Sequence, residues 1–94
     1  MTLHTVHYTY AEPTAAGRDE HRPAHRAWLA ALLEQGIVVS AGAYADGTGA
    51  LILIEGTDAE AVRNLLDADP FLVEQLVADV RINEWRPAMG AFAD

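Results

Sequence analysis

Residues 3–10, Leu-His-Thr-Val-His-Tyr-Thr-Tyr, are rich in Val, Tyr and Thr, and this composition predicts a strand. A period of two puts His4, Val6, Tyr8 and Tyr10 on one face and Leu3, Thr5, His7 and Thr9 on the other. Residues 12–17 contain Pro13 and Gly17 and read as a loop. The spacing then changes to three and four at Trp28, Leu29, Leu32 and Leu33, the buried stripe of an amphipathic helix. Proline is tolerated in a first helical turn, so Pro23 sets the start of this helix between Glu20 and Arg22. Gly36 ends it. Residues 37–43 and 50–55 form two further strands around Asp46-Gly47, a strong hairpin signal. Thr57-Asp-Ala-Glu60 matches a capping box and opens a second helix that buries Ala61, Val62, Leu65 and Leu66. Asp69-Pro70-Phe71 opens a short helical segment to about Leu76, and residues 77–86 make the last strand. Residues 88–94 read as a loose tail.

The predicted order is strand, helix, strand, strand, helix, strand. Two strand–helix units joined by a hairpin most simply give a ferredoxin-like α+β fold: a four-stranded antiparallel sheet with both helices on one face. Leu51, Ile52, Leu53 and Ile54 are apolar on both faces of the third strand, and the helices cover only one. With no spare element left to cover the other, the expectation is a homodimer stacked through that uncovered sheet face, a dimeric α/β-barrel-like assembly.

At 94 residues the chain, 1–94, reads as a single domain. Six arginines, no lysines and fourteen acidic residues give a net charge of −8, which lacks the basic surface that a nucleic-acid partner needs. No apolar run approaches a membrane span, no signal peptide is visible, and there is no cysteine, so the expected location is cytoplasmic. Arg18, Arg22 and Arg26 cluster locally. They read either as an attractor for an anionic small molecule or, more simply, as a solvated face paired with Asp19, Glu20 and Glu34.

Among the four histidines His25 carries the chemical interest. It borders the apolar stripe of the helix, near the predicted helix start and beside Arg22 and Arg26, surroundings that favour a neutral imidazole able to accept a proton. Asp69 is its candidate partner, although Asp before Pro is first of all a good helix N-cap, and on the residues alone that simpler role is preferred. His21 and His25 have a metal-ligand spacing but no further ligands, so no metal site is expected. No nucleophile or phosphate-cradling motif is present.

Taken together, Arg22-Pro-Ala-His25-x-x-Trp28-Leu29, Gly36, Ala41-Gly42, Asp46-Gly47, Asp69-Pro70-Phe71 and the closing Ile82-Asn-Glu-Trp85 resemble the YciI-like (YCII-related) domain family in order and spacing. The resemblance implies a ferredoxin-like fold, dimerisation, and a pocket centred on a histidine and an aspartate, here His25 and Asp69. It further implies that Asp69 can cap the helix and face the histidine together. Some relatives act without cofactors on small cyclic or aromatic compounds, by dehydrochlorination or related proton transfers. The chain departs from the family at Gly42-Ala43, where Gly-Pro is frequent, and at Val73-Glu-Gln75-Leu76, where a glycine is usual. The expectation is a cofactor-free lyase or isomerase with His25 as general acid or base and Asp69 orienting it. Arg22 would attract an anionic substrate, with Trp28 and Ser40 as pocket walls. The alternative is a non-catalytic dimeric module that binds a small ligand or a protein.

Overall fold

A computed structural model describes residues 2–93. Four strands, β1 (Thr2–Thr9), β2 (Val38–Ala43), β3 (Gly49–Gly56) and β4 (Asp79–Trp85), form one sheet in the order β2-β3-β1-β4, with every neighbouring pair antiparallel. Helix α1 (Ala15–Glu34) connects β1 to β2, while α2 (Ala59–Leu66) and α3 (Pro70–Val73) lie between β3 and β4. This is the ferredoxin-like α+β arrangement. Register aligns His4, Val6 and Tyr8 of β1 with Ile54, Ile52 and Ala50 of β3, and all six are buried. Cross-strand partners share a face, so this is the layer on which α1 and α2 pack. Val62 and Leu66 of α2 and Leu32 of α1 complete the core.

Helix α1 begins earlier than the prediction from Pro23. It starts at Ala15, so Pro23 lies inside the helix. A proline there removes one backbone hydrogen bond and costs about 3 kcal/mol. The extra turns place Gly17 against Leu76 and Arg18 in a buried site, contacts that offset the loss. Gly36 ends the helix as expected. At a φ of +78° it supports the paired bonds from Gly36 N–H to Leu33 O and from Ile37 N–H to Leu32 O.

Helix α2 is capped by Asp58 and not by Thr57: the Asp58 carboxylate accepts the Ala61 N–H at 2.8 Å. Val62 and Leu66 face inward as predicted, whereas Ala61 is exposed, against the prediction that it is buried.

The other sheet face carries Leu3, Thr5 and His7 of β1 and Leu51 and Leu53 of β3. The chain itself covers part of it, contrary to the expectation that no element remained to do so. Phe92 of the C-terminal segment lines a hollow there with Tyr44, Leu51 and Leu53, and its ring meets Trp85 edge-on at 6.3 Å. Among the described residues no helix is long and apolar enough to cross a membrane.

Candidate functional site

Asp69 stands between α2 and α3 in extended conformation, with Pro70 as the first residue of α3. Its carboxylate is fully buried and takes three hydrogen bonds. Oδ1 accepts the Phe71 N–H at 3.0 Å, which is the helix cap, and also contacts Nδ1 of His25 at 2.7 Å. Oδ2 accepts the Tyr8 hydroxyl at 2.6 Å. The cap and the histidine contact therefore coexist on one oxygen. With the carboxylate acting as acceptor, Nδ1 carries the hydrogen and Nε2 is left as the nitrogen that can take a proton.

His25 is held on its faces as well as at its edge. Its ring lies parallel to that of Phe71, at 3.9 Å between centroids and an interplanar angle of 2°. Trp28 stacks more loosely at 6.4 Å. Ten residues past the first residue of α1, His25 sits in the middle of the helix, so the expected influence of a helix N-terminus on it falls away.

A cavity of about 620 Å³ opens between α1 and the edge strand β2, and His25 lies in its wall. Arg22, Arg26, Tyr10 and Phe71 line it together with apolar residues such as Leu29 and Val38. Its size and mixed lining suit a small-molecule site.

The three clustered arginines separate in the structure. Arg22 lies in the cavity wall and donates to Asp19 at 2.7 Å, the pairing of the simpler reading. Arg26 also lines the cavity. Arg18 is not on a solvated face: it is buried, donates to the carbonyls of Leu76 and Ala11 at 3.1 Å each and to the Thr14 hydroxyl, and lies 4.3 Å over the Tyr10 ring.

Two expected pocket walls behave differently. Trp28 packs against the core and is not part of the cavity lining. Ser40 borders the cavity, but its register partner is Leu53, which puts its side chain on the sheet face away from the helices. A bulge between Val38 and Ser40 produces this switch. His21 and His25 point to different carboxylates, Glu74 at 3.9 Å and Asp69. Among the described residues no three His, Asp or Glu side chains cluster as metal ligands.

Tyr8 and Tyr10 are residues of the candidate site that the sequence pattern does not single out, and Phe71 entered it only as part of the Asp69-Pro70-Phe71 segment. Alternation places the two tyrosines on the inward face of β1, but nothing local connects either to Asp69, sixty-one positions from Tyr8. Burial and the adjacent Asp69 push the Tyr8 phenol far above its ordinary range, so its hydroxyl stays a donor.

A family model described as YCII-related domain matches residues 3–86. No curated protein matches the chain. Among solved structures, the chain is similar to 5-chloro-2-hydroxyhydroquinone dehydrochlorinase from Burkholderia phenoliruptrix AC1100 in complex with 2,5-dihydroxybenzoquinone. That similarity has a TM-score of 0.79 at 21% identity and covers 98% of this chain and 99% of the other. At such identity it speaks for the fold alone.

Proposed function

The chain belongs to the YCII-related domain family, and from that premise we propose that it is a cofactor-free enzyme of the lyase or isomerase type, acting on a small cyclic or aromatic compound. The observation that carries this reading is the 2.7 Å contact of His25 with buried Asp69 in the wall of a ligand-sized cavity. His25 Nε2 removes a proton from a substrate carbon, and Asp69 at Nδ1 holds the ring and stabilises the imidazolium that forms. In a lyase the released electron pair expels a leaving group from the neighbouring carbon. In an isomerase the proton returns at a different carbon. Arg22, with Arg26 beside it, draws an anionic substrate to the cavity.

General acid–base catalysis contributes roughly 10²–10⁴-fold, so His25→Ala should lower turnover by about that factor. The screen starts with hydroxylated and halogenated aromatic and cyclic compounds. It includes 2,5-dihydroxybenzoquinone, the compound bound by the structural neighbour. Full turnover by His25→Ala on a compound the wild type converts would overturn the mechanism. Binding by the wild type with no conversion of any compound would favour the non-catalytic module.

The same reading includes a homodimer through the sheet face away from the helices. Its support is half-buried Leu51, with Trp85 and Phe92 each more than a third exposed nearby. A monomer by light scattering would remove that part of the reading.

A further inference from the structure

The chain carries fourteen acidic residues against six arginines, yet among the described residues the cavity beside His25 has no carboxylate in its lining and two arginines, Arg22 and Arg26. An acidic protein that keeps acids out of one concave wall has built a local exception to its own charge. The rest of the lining is mainly apolar, including Leu29, Leu33 and Ile52.

Tyr10 belongs to the same wall. Its backbone N–H is tied to Thr48 O at 2.8 Å. Its ring is clamped, with the Arg18 guanidinium 4.3 Å from the ring centroid on one face and the Phe71 ring edge-on at 6.1 Å. Arg18 is itself buried, has no carboxylate partner among the described residues, and is held by carbonyl and hydroxyl acceptors. Phe71 is also the ring that stacks on His25, so one side chain aligns both cavity groups. Phenylalanine would serve this packing equally well. What packing does not require is the hydroxyl, which makes no hydrogen bond to the protein among the described residues and is not sealed from solvent. Burial and the Asp69 charge raise the Tyr10 phenol above its ordinary range, with Arg18 and Arg22 pulling it partly back. At neutral pH it is an O–H donor.

We propose that Tyr10 is the hydrogen-bond donor of this cavity and that the site takes a small ligand presenting an anionic oxygen on an apolar body. In the proton transfer assigned to His25, on which this deepening rests, a neutral carbonyl oxygen of the substrate becomes such an anionic oxygen when the neighbouring carbon loses its proton. Tyr10 then holds the oxyanion while His25 holds the proton.

The test is binding of 4-nitrophenolate, followed by its visible absorption, to the wild type, Tyr10→Phe and the control Tyr44→Phe on the opposite sheet face, with thermal melts for all three. Uncharged 4-nitroanisole serves as the comparison ligand. The wild type and Tyr44→Phe are expected to bind 4-nitrophenolate alike. Tyr10→Phe should bind it about tenfold more weakly while binding 4-nitroanisole normally and melting at the wild-type temperature. The proposal is overturned by absence of 4-nitrophenolate binding to the wild type, by undiminished binding to Tyr10→Phe, or by an equal loss for 4-nitroanisole. Binding needs no turnover, so a failed catalytic reading leaves this result standing. Conversely, a failed Tyr10 assignment leaves any His25-dependent turnover intact.

Discussion

Two buried histidines face the helix layer of this protein, and their surroundings could hardly differ more. His25 is 7% exposed, contacts the Asp69 carboxylate through Nδ1, lies flat on Phe71 and borders a cavity. His4 is 0% exposed, and neither of its ring nitrogens has a hydrogen-bond partner among the described residues. Its neighbours include Ile54 across the β1–β3 pair, Glu84 across the β1–β4 pair, and Gly56 at the end of β3. Glu84 is instead engaged by Arg86 at 2.8–2.9 Å. Burial alone therefore does not mark a histidine as functional here. The mark is a partnered nitrogen on one side of the ring together with a cavity on the other. Tyr8 makes the contrast sharper, since it lies four residues from His4 on the same face of β1 and yet serves the partnered end through Asp69.

The largest effect should come from removing the centre of the partnered end. Asp69→Ala takes an acceptor from Tyr8, His25 and the α3 cap at once. A lost cap costs about 1 kcal/mol and each stranded buried donor about 1–3 kcal/mol. Urea unfolding should thus show a loss of about 3 kcal/mol or more. A loss under 1 kcal/mol would mean that the three bonds do not act together and would erase the distinction between the two ends.

Next in size is Tyr8→Phe, which removes one charge-assisted hydrogen bond and should cost about 1.5–3 kcal/mol at neutral pH. It also carries a pH signature. Burial first, and then Asp69, raise the folded-state pKa of Tyr8 above that of the unfolded chain. The native state then binds more protons than the unfolded one above the ordinary tyrosine pKa of about 10. Stability from this source is complete below that pH and falls as pH rises beyond it. Denaturant midpoints measured from pH 8 to 11 should decline more steeply for the wild type than for Tyr8→Phe. Parallel profiles would show that Tyr8 is not the group responsible.

How much of this was legible depends on how local each cause is. The element order, the Gly36 stop and the Asp69-Pro70 cap follow from residues adjacent in sequence, and all three appear in the structure. The start of α1 does not, because Pro23 is outweighed by contacts that Gly17 and Arg18 make with Leu76 and Ala11, the first of them far along the chain. Thr57 and Asp58 are adjacent and both competent caps, so residue type alone does not choose between them, and the structure uses Asp58. In the site, Asp69 was visible as a cap, and its pairing with His25 was implied by the family resemblance. Its third bond, from Tyr8, depends on bringing the turn before α3 beside β1 and leaves no mark on either segment. Gln75 has a left-handed backbone, at a φ of +57°, in the stretch where the family resemblance leads one to expect a glycine, the residue that best tolerates that conformation.

The smallest effect, and the one with the opposite sign, belongs to His4. A buried polar atom without a partner retains its full desolvation cost, about 1–3 kcal/mol, and removing the atom removes the cost. His4→Leu keeps a side chain of similar bulk beside Ile54 but brings a differently shaped, branched end against Gly56. Repacking of that kind usually costs under 1.5 kcal/mol. The sum is a protein as stable as the wild type or more stable by about 1 kcal/mol, read as an unchanged or higher urea midpoint at constant slope. Turnover and 4-nitrophenolate binding should be untouched, because His4 contributes nothing to the cavity wall. A loss above 1 kcal/mol would show that the ring has a partner after all, in which case the two ends of the molecule would be alike in kind and differ only in the cavity.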